Sequence, residues 1–263
     1  MRPEDPAQSR KSTVVFSYGG GRQSVCLILL CKNGVLPWPD HIVMADTGRE
    51  NQSTWRYHEQ HVAPILNAAG RPLQIAGPSY AKVGTHAHNG QLLLPVYSEP
   101  RGKYSAYCSN EWKRRVRDRY LAEKGIRPDT LWLGLGFEER RRWERVHNTH
   151  QGKTLVKCPL VDLELTTAQA LQILARSELP PPPHSSCFFC PNKSDHEWLA
   201  LREQDPSQFE QACKMDEELR AESIEEERGP IYLHYSRTPL REALDRGQSD
   251  EIPRRCDGEG CFT

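Results

Sequence analysis

Residues 13–24 read Thr-Val-Val-Phe-Ser-Tyr-Gly-Gly-Gly-Arg-Gln-Ser, with three adjacent glycines between a β-branched, aromatic run and an apolar segment, 25–30. The pattern spells a strand, a tight turn and a helix N-terminus. Glycines let a backbone approach an anion closely and reach positive φ. The first helical turn leaves amide N–H groups unpaired, and its dipole favours negative charge. The stretch is therefore a candidate phosphate or pyrophosphate site. Its candidate contacts are Ser17, Tyr18, Gly19, Gly20, Gly21, Arg22, Gln23 and Ser24, with Ser24 able to cap the helix and offer a hydroxyl. It is not the common P-loop, since no Gly-Lys-Ser/Thr follows the variable residues, and its adjacent glycines do not match the spaced dinucleotide fingerprint.

Cysteines make the second cluster. Cys187-Phe188-Phe189-Cys190-Pro191 brings two thiols within one turn, flanked by aromatics and delivered by the stiff proline run 180–183. A redox CxxC normally opens a helix early in its fold, so a soft metal suits this late one better, as zinc or an iron–sulfur cluster. Four-thiolate ligation needs partners. Cys108 is one, at the start of a basic helix where a thiolate is stabilised. The other is Cys261 or Cys256 from the C-terminal tail, with Cys158 behind them. Plainer readings stand beside these: Cys158 as a core residue, the tail pair as a flexible redox couple or a persulfide carrier. Cys26 and Cys31, in an apolar helix, read as small core residues, and Cys213 as incidental.

These groups need a scaffold, and the sequence supplies an alternation. Strands are expected at 13–16, 41–45, 73–76 and 130–135. Helices are expected at 24–32, 54–69 with an interruption near Pro64, and 109–124. This spacing implies an α/β fold, a doubly wound and mostly parallel sheet with helices on both faces. In such sheets ligands bind at the carboxyl ends of strands. The glycine run, Asp46-Thr47-Gly48 and Gly134 all fall there. Asp46 is a candidate for an adenosine hydrogen bond or for Mg²⁺, or else a helix cap together with Thr47. Past a long loop at 77–103 and the strand at 130–135, the character changes: helices are expected at 166–177, 194–204 and 206–227. The domains expected are a disordered tail at 1–11, a nucleotide-binding domain at 12–165 and a helical, cysteine-containing region at 166–263.

The chain has 263 residues, nine of them cysteine, with 35 basic and 35 acidic residues. Balanced charge gives no global field toward nucleic acid or membrane. Mean hydropathy is −0.72, no apolar run is long enough to span a bilayer, and residues 1–11 are polar with no hydrophobic leader. A cytoplasmic protein is expected.

Gly19-Gly20-Gly21-Arg22-Gln23-Ser24 resembles the Ser-Gly-Gly-x-Asp-Ser loop of the PP-loop ATP pyrophosphatases, with Gly19 in place of Ser and Gln23 in place of Asp. Asp46-Thr47-Gly48, the Cys108-Ser-Asn-Glu-Trp-Lys113 segment, Gly134 to Arg140 and the CxxC follow in the order found in phosphoadenylylsulfate-reductase-like members of that superfamily. The terminal Gly-Glu-Gly-Cys261-Phe-Thr departs from the sulfate-assimilation reductases. The likeness is nearer to DNA-phosphorothioation, tRNA-thiolating and CRISPR- or phage-associated members. The resemblance implies ATP and Mg²⁺ as ligands. Ser24, Arg22 and Lys113 would act at the reacting phosphates, with Gly134 and Glu139 beside the adenosine. A [4Fe–4S] cluster, with zinc as the alternative, would sit on Cys108, Cys187, Cys190 and Cys261. The implied reaction cleaves ATP to AMP and pyrophosphate and then transfers sulfur, from a donor such as a cysteine desulfurase, to nucleic acid. The alternatives are an accessory nucleotide-binding subunit of a defence assembly and a thiol-dependent adenylylsulfate-type reductase. Two arginine clusters, around Arg114 and around Arg141, adjoin Trp112, Tyr120 and Trp143. Their composition suits nucleic-acid contacts, or equally a solvated helix face. Self-association is possible.

Overall fold

A computed structural model describes residues 12–77, 84–149 and 154–246. The tail cysteines Cys256 and Cys261 and the N-terminal tail lie outside the described residues.

In chain order the elements begin with β1 (Val14–Ser17), α1 (Arg22–Lys32), β2 (His41–Ala45), α2 (Gln52–Tyr57), α3 (Ala63–Ala68) and β3 (Gln74–Ala76). There follow β4 (Tyr97–Ser98), β5 (Gly102–Lys103), α4 (Arg115–Glu123), β6 (Thr130–Leu133), α5 (Arg140–Thr149) and β7 (Leu155–Lys157). The remainder are α6 (Pro159–Asp162), α7 (Thr167–Ala175), α8 (Asp195–Gln204), α9 (Pro206–Glu225), β8 (Ile231–Tyr232) and α10 (Leu240–Asp245). Five strands make one sheet in the order β3-β2-β1-β6-β7, every neighbouring pair parallel. Phe16 of β1 is in register with Ile42 on one side and Trp132 on the other. The strand order reverses at β1, so the crevice where a ligand is expected opens at its carboxyl end.

Helix α1 explains why the site is rigid. Its eight residues from Ser24 to Cys31 are all buried, because the sheet covers one face and α7 the other through Ala170 and Leu174. A helix apolar all round belongs in such a sandwich. The thiols of Cys26 and Cys31 sit in this core, each pushed up to about 12 by burial, and act as small apolar groups. Helix α7, read from sequence with the C-terminal region, packs into the core of the sheet.

The interruption expected near Pro64 is a π-turn, His58–Val62, between α2 and α3. Proline cannot donate to the carbonyl four residues back, and the wider turn absorbs the mismatch. A second π-turn, Asn110–Arg114, leads into α4. The long loop expected at 77–103 contains β4 and β5, which join β8 in a small antiparallel sheet. A second core surrounds Trp112, Phe189, Trp198 and Phe209, with Cys108 and Cys187 packed at its margin. No helix among the described residues is long and apolar enough to cross a membrane.

Candidate anion and thiol site

The glycine run leaves β1 at the point where the strand order reverses. Gly20 has φ +74°, and a Cβ there would stand 2.6 Å from Thr54 Cγ2, so conformation and space both require glycine. Gly21 is the residue that precedes α1, and no side chain caps the helix. Ser24, expected as the cap, instead lies buried in the first turn and accepts the Gly19 N–H through Oγ at 3.1 Å. It holds the loop closed from inside. Among the described residues the N–H groups of Gly20, Gly21, Arg22, Gln23 and Ser24 have no acceptor, and the Arg22 side chain has no partner. Five open amides at the positive end of a buried helix are an arrangement that can receive an anion.

The other expected contacts divide. Ser17 Oγ accepts from the Arg117 guanidinium at 3.3 Å. The Tyr18 ring points into the core against Phe16 and His58, and burial raises its phenol far above the usual range; only its backbone faces the loop. Gln23 Nε2 donates to Glu139 Oε2 at 2.8 Å and to Thr167 Oγ1 at 2.9 Å. Glu139 also accepts the Gly136 N–H and pairs with Arg142 at 2.9 Å. Gln23 and Glu139 thus bind each other and tie α1 to the start of α5 and α7. Gly134 abuts Ser24: a Cβ there would stand 3.0 Å from Ser24 Oγ, so close packing of β6 on α1 requires the glycine. Asp46 Oδ1 accepts the Gly48 N–H at 2.8 Å, and Oδ2 has no partner among the described residues. Thr47 is buried and accepts the Arg49 N–H. Neither caps a helix, since Asn51 precedes α2.

The segment before the CxxC is docked on this loop. Ser185 Oγ donates to the Gly19 carbonyl at 2.5 Å and lies 2.9 Å from Glu50 Oε1. Glu50 faces Cys187 across an antiparallel bridge, Asn51 N–H donates to the Ser186 carbonyl, and Phe188 N–H to that of Arg49. The Glu50 side chain is 2% exposed, and Lys113 Nζ stands 3.7 Å from its Oε2. Lys193 is buried, its ammonium donating to Ser186 Oγ at 2.6 Å and lying over the Trp198 ring. Arg49 stacks on Trp112 at 4.5 Å. Burial pushes the Cys187 thiol up to about 12, Glu50 and Cys190 adding to the effect while Lys113 and Lys193 oppose it. An unligated Cys187 is therefore protonated at neutral pH and a poor free nucleophile.

Glu50, Ser185 and Lys193 were not singled out from sequence. Two signals could have found the first two: the charged pair Arg49-Glu50 in the loop after β2, and the serines placed between a stiff proline run and the CxxC; none pointed to Lys193.

Among the described residues no group of three or more His, Cys, Asp or Glu side chains is placed to hold a metal ion. Cys187 and Cys190 share one turn, with Cys190 N–H donating to the Cys187 carbonyl. Cys108 does not complete a ligand set with them, and Cys261 lies outside the described residues. A cubane cluster needs more thiolates than this turn provides. Cys158 is fully buried, its thiol raised by burial and by the charges of Asp162 and Glu139.

The arginine clusters also look different in three dimensions. Trp112 is buried in the second core under Arg49, and Trp143 donates Nε1 to the Val156 carbonyl. The Trp112 indole is therefore closed to base stacking, while Trp143 is only partly buried.

No family model matches the chain, and no curated protein matches it. Among solved structures it is similar to the U34-tRNA thiolase NcsA from Methanococcus maripaludis with its [4Fe-4S] cluster. The sequence identity is 12%, the match covers 77% of this chain and 69% of that one, and the TM-score is 0.39.

Proposed function

We propose that this chain binds ATP and cleaves it to AMP and pyrophosphate, activating an acceptor for sulfur transfer, with nucleic acid as the acceptor class. One observation carries the reading: five amides with no acceptor among the described residues at the N-terminus of a buried helix, at the switch point of a parallel sheet, with the segment that leads into a pair of thiols docked on the same loop through Ser185. The amides of Gly20, Gly21 and the first turn of α1 receive the leaving pyrophosphate, and the Arg22 guanidinium neutralises it. Asp46 Oδ2 offers a carboxylate oxygen to Mg²⁺. An acceptor oxygen attacks the α-phosphorus, the bond to pyrophosphate breaks, and sulfur then displaces AMP from the activated acceptor.

A cluster or zinc ion on Cys187 and Cys190 belongs to the same proposal, with its remaining ligands drawn from the tail cysteines outside the described residues. The described residues supply two ligands from one turn, so no step is routed through the metal. Iron, zinc and acid-labile sulfide content of anaerobically purified protein tests that part, and a metal-free preparation overturns it.

The reaction itself is tested by incubating α-labelled ATP with Mg²⁺, sulfide and bulk RNA or DNA and separating the products. AMP and pyrophosphate are expected. Gly20→Ala strains a left-handed position by about 1–2 kcal/mol and drives a methyl into Thr54. It should abolish ATP binding measured by calorimetry. ADP and phosphate as products, or wild-type protein that binds no ATP, would overturn the assignment.

The accessory-subunit reading draws on Gln23, whose side chain is engaged with Glu139 and Thr167 where the resembling loops carry an aspartate. Tight ATP binding without turnover would favour it. Sulfite release from an adenylylsulfate substrate would revive the reductase alternative.

A further inference from the structure

We propose that Ser185 is a positioning residue that couples the glycine loop to the thiol turn, so that an anion seated on the loop amides tightens the backbone around Cys187. This rests on the nucleotide-binding reading above and adds the link between its two halves.

The segment 185–188 is held from two sides. On one side it runs against residues 49–51 through the Glu50–Cys187 bridge, the Asn51 N–H to Ser186 carbonyl bond at 3.1 Å and the Phe188 N–H to Arg49 carbonyl bond at 2.9 Å. On the other side it meets the glycine loop through Ser185. The hydroxyl donates to the Gly19 carbonyl at 2.5 Å, and Ser185 Cβ lies 3.3 Å from where a Cβ on Gly21 would stand. Ser185 also touches Glu50, a buried carboxylate held in addition by Thr54 Oγ1 at 3.4 Å and Lys113 at 3.7 Å. A carboxyl group this buried is costly unless its oxygens are engaged. Its partners come from the thiol segment, α2 and the turn leading into α4, so moving any one of them disturbs the others.

The coupling has a direction. The Gly19–Gly20 peptide is trans. Planarity then sends the Gly20 N–H away from the carbonyl that Ser185 holds. That N–H is one of the open loop amides. An anion accepting from it polarises the same peptide group and strengthens the carbonyl's bond to Ser185. Phosphate occupancy on one face of a single peptide is thereby felt as tighter binding of the thiol segment on the other.

Hydrogen–deuterium exchange by mass spectrometry on the full chain, with and without ATP and Mg²⁺, reads this directly and does not depend on whether a metal is bound. In wild-type protein ATP should slow exchange of the 185–190 amides by at least about fivefold, the lower end of ordinary site-to-site coupling, along with the amides of 19–24. In Ser185→Ala the loop amides remain, so ATP still binds and still protects 19–24, while the slowing at 185–190 is lost. Ser185→Cys, similar in size and a weaker donor, should show a reduced slowing, and keeps the test intact if the alanine variant folds poorly. ATP that binds the wild type without slowing 185–190, or slows it equally in both variants, overturns the coupling alone. Wild-type protein that binds no ATP overturns the nucleotide reading and the coupling with it.

Discussion

Gln23 shows how one side chain's meaning depends on partners far along the chain. In the sequence it stands where resembling loops carry aspartate, and it reads as a ligand contact. In the fold its amide bridges Glu139, 116 residues away, and Thr167, 144 residues away. A neutral donor is what that place demands, because Glu139 already brings a carboxylate to it and accepts the Gly136 N–H with the same oxygen. Gln23→Asp would set two carboxylates against each other and delete two hydrogen bonds. Losing each of these half-buried hydrogen bonds costs about 0.5–1.5 kcal/mol, and the like-charge contact adds to that. Urea denaturation should show Gln23→Asp less stable than Gln23→Ala, with the difference shrinking at low pH as the carboxylates protonate. An aspartate variant as stable as wild type would mean that the Glu139 contact carries no weight. The glycine pattern around it was legible from sequence because backbone conformation is a local property. Gln23, Glu139 and Ser24 were not, because their partners are set by packing.

Elements with strong local signals were legible too. Thr166 and Ser194 each form a reciprocal cap with a Gln or Glu three residues on, and the helices they start were expected at the right places. The three-residue strand β7 and the two-residue strands β4, β5 and β8 were not read, because so few residues show no periodicity, and their pairing partners lie far off in sequence. Helix α8 matters to the thiol segment, since its cap partner Glu197 also pairs with His184 at 2.7 Å, just before Ser185. Burial alone would raise the Glu197 carboxyl. The His184 hydrogen bond and charge and the Ser194 bonds outweigh it and hold the carboxyl near 2, below its usual 4.5. A depressed carboxyl stabilises the folded state above the ordinary value and loses that contribution as pH falls from 4.5 toward 2. Glu197→Gln should flatten the stability profile in that window, read by thermal melting across pH. Ser194→Ala should cost about 1 kcal/mol at neutral pH. An unchanged acid profile in Glu197→Gln would remove this carboxylate from the account.

At the scale of the whole molecule, charge decides how a nucleic acid could be held. The chain carries 35 basic and 35 acidic residues, so any attraction must be local. The two arginine clusters are the obvious places, yet much of their charge is already engaged. Arg114 and Arg117 pair with Asp118, Arg115 with Glu111 and Arg142 with Glu139, while Arg140 lies over the Phe137 ring. Arg141 is exposed and has no partner among the described residues. A surface with so few uncommitted cations neutralises few phosphates. Each one contributes about −0.9 to the slope of log K against log salt on a duplex and about −0.7 on a single strand. Binding of a fluorescent RNA hairpin, followed by anisotropy between roughly 50 and 200 mM salt, should therefore give a slope no steeper than about −3. Arg141→Ala should reduce its magnitude by about one. Phosphates would then contribute little more than orientation, leaving recognition to contacts with the bases. A slope as steep as those of dedicated nucleic-acid binders, unaffected by Arg141, would place the contact on another face and remove these helices from substrate binding.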